Sequence, residues 1–306
     1  MKGLELSRAL FDECLRPLLE REAPQLLPLI AAGLVGEGSE CFGFDDERSQ
    51  DHDWGASLCL WLPDDSPENA FGTLDSLLAG LPERFRGVPL RVHAPGRTGV
   101  FRVGAFYRSL IGRADAPESA EDWIAVPEPS LAAATNGAVF YDGAGAFSGV
   151  RERLLAYYPE DARRFRLAQC AALAGQTGQY NYARCLMRGE TAAAQIIRGR
   201  FLENTAALIF LLNRRYRPFY KWSWRALRML PLLGAETDEL ADRLSVLPDG
   251  PDAAALMEKI ASGIIGELRR QGLSDSGSDF LMDHIGALLG GVQDEKLRMR
   301  GISLVF

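Results

Sequence analysis

Histidine and cysteine are scarce in this chain. Three histidines (His52, His93, His284) and five cysteines (Cys14, Cys41, Cys59, Cys170, Cys185) are scattered over 306 residues. The cysteines are odd in number and none stands in a Cys-x-x-Cys pair, so neither a disulfide framework nor a zinc centre is expected. Long apolar runs are missing as well. The longest, from Ala206 to Leu212, falls short of the ~18 residues a membrane span requires and leads into Arg214 and Arg215. It reads as a core helix. Nothing resembles an export signal, because Met1 to Leu6 opens an acidic amphipathic segment. Together with reduced thiols, these absences make a cytoplasmic protein without a membrane partner the expectation. Internal repeats and low-complexity tracts are also absent, which excludes solenoid architectures.

What is present is ordinary for a globular protein, with 47% apolar and 25% charged residues, and the length suits two domains. The net charge of −7 is laid out unevenly. Residues 151–228 hold fifteen Arg or Lys against five Asp or Glu, a balance of +10, and the rest holds nineteen against thirty-six, a balance of −17. A basic segment opposite an acidic site suits a ligand that carries phosphates. The same arginines can also solvate helix faces or pair with acids.

Apolar periodicity divides the chain into elements. Ser7 is the expected N-cap of a first helix in which Leu10, Phe11, Leu15, Leu18 and Leu19 recur, ending near Arg21. Residues 28–35 and 51–62 read as strands, a helix opens at Ser66-Pro67-Glu68 and ends near Pro82, and 88–93 reads as a third strand before a short helix at 104–111. Residues 113–150 are richer in Pro, Gly and Ala, with Trp123 and Val139 to Tyr141 as packing anchors and Asp142-Gly143 as a turn. Beyond Val150 the pattern is helical, over 159–174, 176–187, 190–214, 218–233, 236–247, 251–271 and 277–290. The expected fold class is therefore an α+β N-terminal domain over 1–145, a small mixed sheet with helices, followed by an all-α helical domain over 146–306.

The densest chemistry lies between the first two strands. Gly38-Ser39 forms a small-residue turn, and Asp51-x-Asp53 places two carboxylates on one face of a strand. Two aligned carboxylates suit a hard divalent cation that takes substrate phosphates, and the Gly38 amide and Ser39 hydroxyl suit a phosphate tail. The bland alternative is an Asx-type hydrogen-bonding pair at a strand entry. Two other readings fail. Cys41 stands where a dinucleotide fingerprint needs its third glycine, and Gln50 and Ala56 break a calcium loop begun by Asp45-x-Glu47-x-Ser49. His52 points to the opposite face, and His93 reads as a strand residue.

Gly38-Ser39 followed by Asp51-x-Asp53 resembles the signature of polymerase-beta-type nucleotidyltransferases. The string from Gly36 to Trp54 resembles a bacterial branch of them, the family catalogued as domain of unknown function 4037. Arg151 with Leu154 and Tyr157-Tyr158-Pro159, Arg188-Gly189, and the stretch from Leu212 to Trp222 fit the same family. The resemblance covers roughly residues 1–235. It implies a nucleotidyltransferase-like N-terminal domain and a nucleoside triphosphate in a cleft against the helical domain. Asp51 and Asp53 would bind Mg²⁺ or Mn²⁺ and form the catalytic pair, with Gly38, Ser39, Ser49 and Lys221 as nucleotide contacts. The reaction would transfer a nucleoside monophosphate to a hydroxyl on a small molecule, protein or RNA. Such enzymes commonly place a third carboxylate on a neighbouring strand, and Leu90 to Ala94 has Arg91 there instead. Glu128, Asp142 and Asp161 are candidate substitutes. Two alternatives stay open: a nucleotide-binding protein with weak or no activity, and a protein that binds RNA or modifies RNA ends through 151–228.

Overall fold

The computed structural model describes residues 1–49, 55–92, 94 and 96–302. Asp51, His52, Asp53 and His93 lie outside the described residues. The fold is mixed α and β, and the chain forms two compact units. The first comprises 1–117 and 126–156, the second 118–125 and 157–306. The expected boundary at 145 falls inside the first unit, one residue before its last helix, Ala146–Leu155.

Seven strands are described, all in the first unit: β1 Ala31–Leu34, β2 Ala56–Ser57, β3 Cys59–Leu62, β4 Arg84–Phe85, β5 Val88–Arg91, β6 Gly99–Arg102 and β7 Ala138–Asp142. They form a four-stranded sheet in the order β6-β3-β1-β7 and a three-stranded sheet in the order β2-β5-β4. In the larger sheet β1 runs antiparallel to β3 and β7, while β3 and β6 are parallel. Both faces of β3 are buried, and the side chains alternate between them. Leu60 and Leu62 pack with Leu6, Leu10 and Phe11 of the N-terminal helices and with Leu74 of helix Glu68–Ala79. On the other face Trp61 stacks on Phe147 at 3.9 Å and meets Phe106 edge-on at 5.3 Å.

Several boundaries differ from the sequence reading. The expected strand over 51–62 is, in its described part, two strands in two sheets. Ser7 is not an N-cap; it lies inside helix Gly3–Leu10, buried, with Oγ donating to Gly3 O at 2.9 Å. The helix starts earlier because the Asp45 carboxylate accepts from Gly3 N at 2.7 Å, a cap supplied from forty-two residues away. The helix expected over 218–233 spans only Tyr220–Leu227. Asn213 accounts for the short span: its amide pairs with both backbone groups of Leu232, at 2.9 and 3.0 Å, which holds 230–233 as a turn.

Among its described residues the second unit has helices joined by loops and no strand. Helix Thr191–Leu212 carries eleven buried residues. Arg163 of helix Glu160–Ala174 is fully buried, donating to Leu211 O at 2.9 Å, Glu160 Oε1 at 3.1 Å and Gln271 Oε1 at 2.8 Å. Arg198 donates to Asp249 Oδ1 at 2.6 Å, Tyr182 Oη at 3.0 Å and two carbonyls beyond helix Gly234–Val246's last turn and within it. Trp123, Tyr157, Tyr158 and Tyr216 form an aromatic cluster with ring centroids 4.8 to 5.7 Å apart.

Candidate functional site

The chain leaves β1 through Gly36, whose φ of +143° favours glycine, and turns back on itself over residues 38–43. Successive i to i−3 bonds wind this loop, from Cys41 N to Gly38 O at 3.1 Å, Phe42 N to Ser39 O at 3.2 Å and Gly43 N to Glu40 O at 3.1 Å. The turn before β7 clamps the loop near both ends. Asn136 accepts from Gly36 N at 3.0 Å and donates to Gly36 O at 2.5 Å, and Gly137 N donates to Cys41 O at 2.7 Å. Gly137 must be glycine: its φ is +61°, and a Cβ there would lie 1.9 Å from Leu34 O.

This clamped loop walls a cavity of about 330 Å³ at the end of β1, near the lower end of the usual range for ligand sites. Gly36, Glu37, Gly38, Glu40 and Cys41 line one side, and Ser57, Arg91, Arg97 and Thr98 line the other. Phe106 and Leu110 add apolar wall. The Glu40 carboxylate folds back over Gly38, where a side chain would come within 2.2 Å of its Oε1. Thr98 orders the opposite wall: its Oγ1 donates to Arg91 O at 2.7 Å and accepts from Ala94 N at 3.0 Å.

Two buried thiols, Cys41 of the cavity wall and Cys59 of β3, are held towards the protonated form. Burial pushes Cys41 well above the ordinary 9.0, with the Glu40 charge adding to it, and pushes Cys59 up to about 12. The Gly38 backbone and Arg97 oppose the shift of Cys41. Neither thiol is a nucleophile here.

Of the residues singled out in the sequence, Gly38 lines the cavity and Ser39 does not; its Oγ donates to Glu40 Oε2 at 3.4 Å. Ser49 is engaged locally with Asp46, Oγ donating to Oδ1 at 3.2 Å. Lys221 belongs to the second unit, exposed, with Nζ 5.0 Å from the Trp222 ring centroid. Arg91 pairs in register with Ser57 on the strand where a third carboxylate was sought. The candidate substitutes serve elsewhere. Asp142 accepts from Gly145 N and Ser148 N, both at 2.8 Å, and Asp161 accepts from Gln293 N and Asp294 N. Glu128 is buried in helix Glu128–Thr135. The acids that do line the cavity, Glu37 and Glu40, were given no role in the sequence reading, nor were Asn136 and Gly137. An Asn-Gly pair is a turn signal, but nothing local says what the turn holds.

Among the described residues no three His, Cys, Asp or Glu side chains cluster to hold a metal ion. No described helix is long and apolar enough to cross a membrane, and all five cysteines are free.

Residues 123–223 match the family described as Domain of unknown function (DUF4037). That stretch supports the resemblance read from the sequence, and it lies outside the Gly36 to Trp54 string. A crystal structure of a nucleotidyltransferase-like protein from Exiguobacterium sibiricum 255-15 aligns over 91% of this chain and 78% of its own, at 12% identity and a TM-score of 0.40. A likeness that loose does not define the fold. No curated protein matches the chain.

Proposed function

We propose that the first unit binds a nucleoside triphosphate and transfers its nucleoside monophosphate to a hydroxyl acceptor, which can be a small molecule, a protein or an RNA. One observation carries this reading: the glycine loop after β1 and two guanidinium-bearing residues, Arg91 and Arg97, line one cavity. Glycine backbone and arginine together are phosphate chemistry. Asp51 and Asp53, close in sequence to β2, are the residues that would hold Mg²⁺ or Mn²⁺, and the ion would offset charge on the phosphates. Ser39, Ser49 and Lys221 remain proposed phosphate contacts.

In the reaction the acceptor oxygen forms a bond to the α-phosphorus, and the bond to the β-phosphate's bridging oxygen breaks, releasing pyrophosphate. The hydroxyl proton needs an acceptor. Glu40 is assigned that role: of the two acids that line the cavity, Glu37 and Glu40, it is the one whose carboxylate folds back over Gly38. A second reading, nucleotide binding without transfer, is favoured by Arg91 on the strand expected to carry an acid.

Incubating the protein with α-labelled triphosphates, Mg²⁺ or Mn²⁺ and a panel of hydroxyl acceptors that includes the protein itself tests the proposal. Labelled acceptor and stoichiometric pyrophosphate are expected. Binding without any labelled product would select the second reading.

A further inference from the structure

We propose that Arg151 is an oxyanion-binding residue of the first unit, holding a phosphate group beside the loop that follows β1. Arg151 lies in helix Ala146–Leu155, with its guanidinium near Tyr107 and Cys41. It makes one long hydrogen bond, Nη2 donating to Gly137 O at 3.5 Å, and its Nη1 is buried without a partner. No carboxylate pairs with it among the described residues. Its neighbours in sequence and in kind are different. Arg153 pairs with Asp115 at 2.5 Å, and the buried Arg163 and Arg198 each have an acid within 3.1 Å.

An arginine stays charged in a protein, and a charge withdrawn from water is tolerated when an opposite charge meets it. A water would satisfy one N–H but leave the charge uncompensated. Burial lowers the Arg151 pKa, in keeping with that cost. An anion met by the guanidinium of this partly exposed residue would relieve the cost, its planar fork matching two phosphate oxygens.

Its position ties it to the site. Gly137, which accepts from Arg151, also holds the loop through Cys41 O. Cys41 in turn lines the cavity. Identifying the oxyanion as the phosphate tail of the ligand rests on the nucleotide reading above; the unpaired charge does not.

Inorganic tripolyphosphate, which has no base and needs no metal, is the probe. Arg151→Met keeps the apolar stem and removes the charge. Calorimetry should show tripolyphosphate affinity falling roughly 10- to 100-fold in this variant. In anion-free buffer the same variant should melt about 2 °C higher or more, because an unpaired charge has been removed. Arg151→Lys, with the charge but not the fork, should fall between. Unchanged affinity in the Met variant, with or without a lower melting temperature, would overturn the proposal, and so would the absence of tripolyphosphate binding by the natural chain. If tripolyphosphate binding depends on Arg151 while Mg-triphosphate fails to bind, the nucleotide reading falls and this one stands. If Mg-triphosphate binds the Met variant undiminished, the reverse holds.

Discussion

Glu40 folds back over Gly38. Its carboxylate occupies the space a side chain at 38 would need, but as the end of a flexible side chain it can swing aside, so the packing alone does not demand glycine there. If Glu40 accepts the proton of the attacking hydroxyl, Glu40→Gln should lower transfer by about 10²–10⁴-fold and leave triphosphate affinity within a few-fold. Equal turnover in variant and natural chain, measured with labelled triphosphate, would remove Glu40 from the chemistry. The buried thiols give a second prediction at this scale. Cys59 is raised from 9.0 to about 12, so the folded state keeps its proton where the unfolded chain loses it. That contribution to stability is complete below pH 9 and is lost as pH rises from 9 towards 12. At pH 8 in native conditions, alkylation followed by peptide mapping should leave Cys41 and Cys59 unmodified and reach them only on unfolding. Rapid native modification of either would contradict the buried wall.

At the scale of elements, close backbone approach sets the sheet. A Cβ at Gly33 would lie 2.4 Å from Ala138 O and 3.0 Å from Val139 Cα across the β1–β7 pair. Gly33→Ala should therefore destabilise the first unit by roughly 1–3 kcal/mol, read by denaturant unfolding. In the second unit Asp249 meets Arg198, Tyr182 and Gln195. Asp249→Ala leaves the Arg198 charge uncompensated and should cost about 3 kcal/mol or more. The hydrogen bond from Tyr182, with those from Gln195 and Arg198, holds the Asp249 carboxyl below its ordinary 3.8. Its contribution is present above pH 3.8 and is lost as pH falls through the lowered value, an acid limb that Asp249→Asn should flatten.

Elements with long apolar periodicity were legible in the sequence. The helices at Glu68–Ala79, Glu160–Ala174 and Pro251–Arg270 begin and end within a few residues of where their spacing puts them. Short pieces were not. β4 and β6 carry too few apolar residues to show alternation, and β7 read only as packing anchors. The shift of the chain between sheets at Leu58 leaves no trace in a continuous apolar run, because both strands are buried. Part of the site was legible in the same way. Gly36 and Gly38 announce a tight loop locally. Asn136, one hundred residues from the glycine it clamps, announces nothing, and Arg151 read only as part of the family resemblance, since the acid it lacks is not visible in sequence.

For the whole molecule, part of the positive charge over 151–228 is met by acids within the second unit. Arg163, Arg164 and Arg214 meet Glu160 at 2.8 to 3.3 Å, Arg198 meets Asp249 and Arg228 meets Asp238. Those pairings give the arginines a packing role and weaken the case for a surface that grips nucleic acid. The clamped glycine loop, Arg91, Arg97 and Arg151, for which phosphate binding is proposed, belong to the first unit. The central claim is that this unit takes a nucleoside triphosphate through Asp51 and Asp53. Isothermal titration of ATP into the natural chain and into the Asp51→Asn/Asp53→Asn variant, each with and without Mg²⁺, tests it most directly. The account predicts Mg²⁺-dependent binding by the natural chain and its loss in a variant that melts at an unchanged temperature. Equal affinity in both with Mg²⁺ present would contradict it.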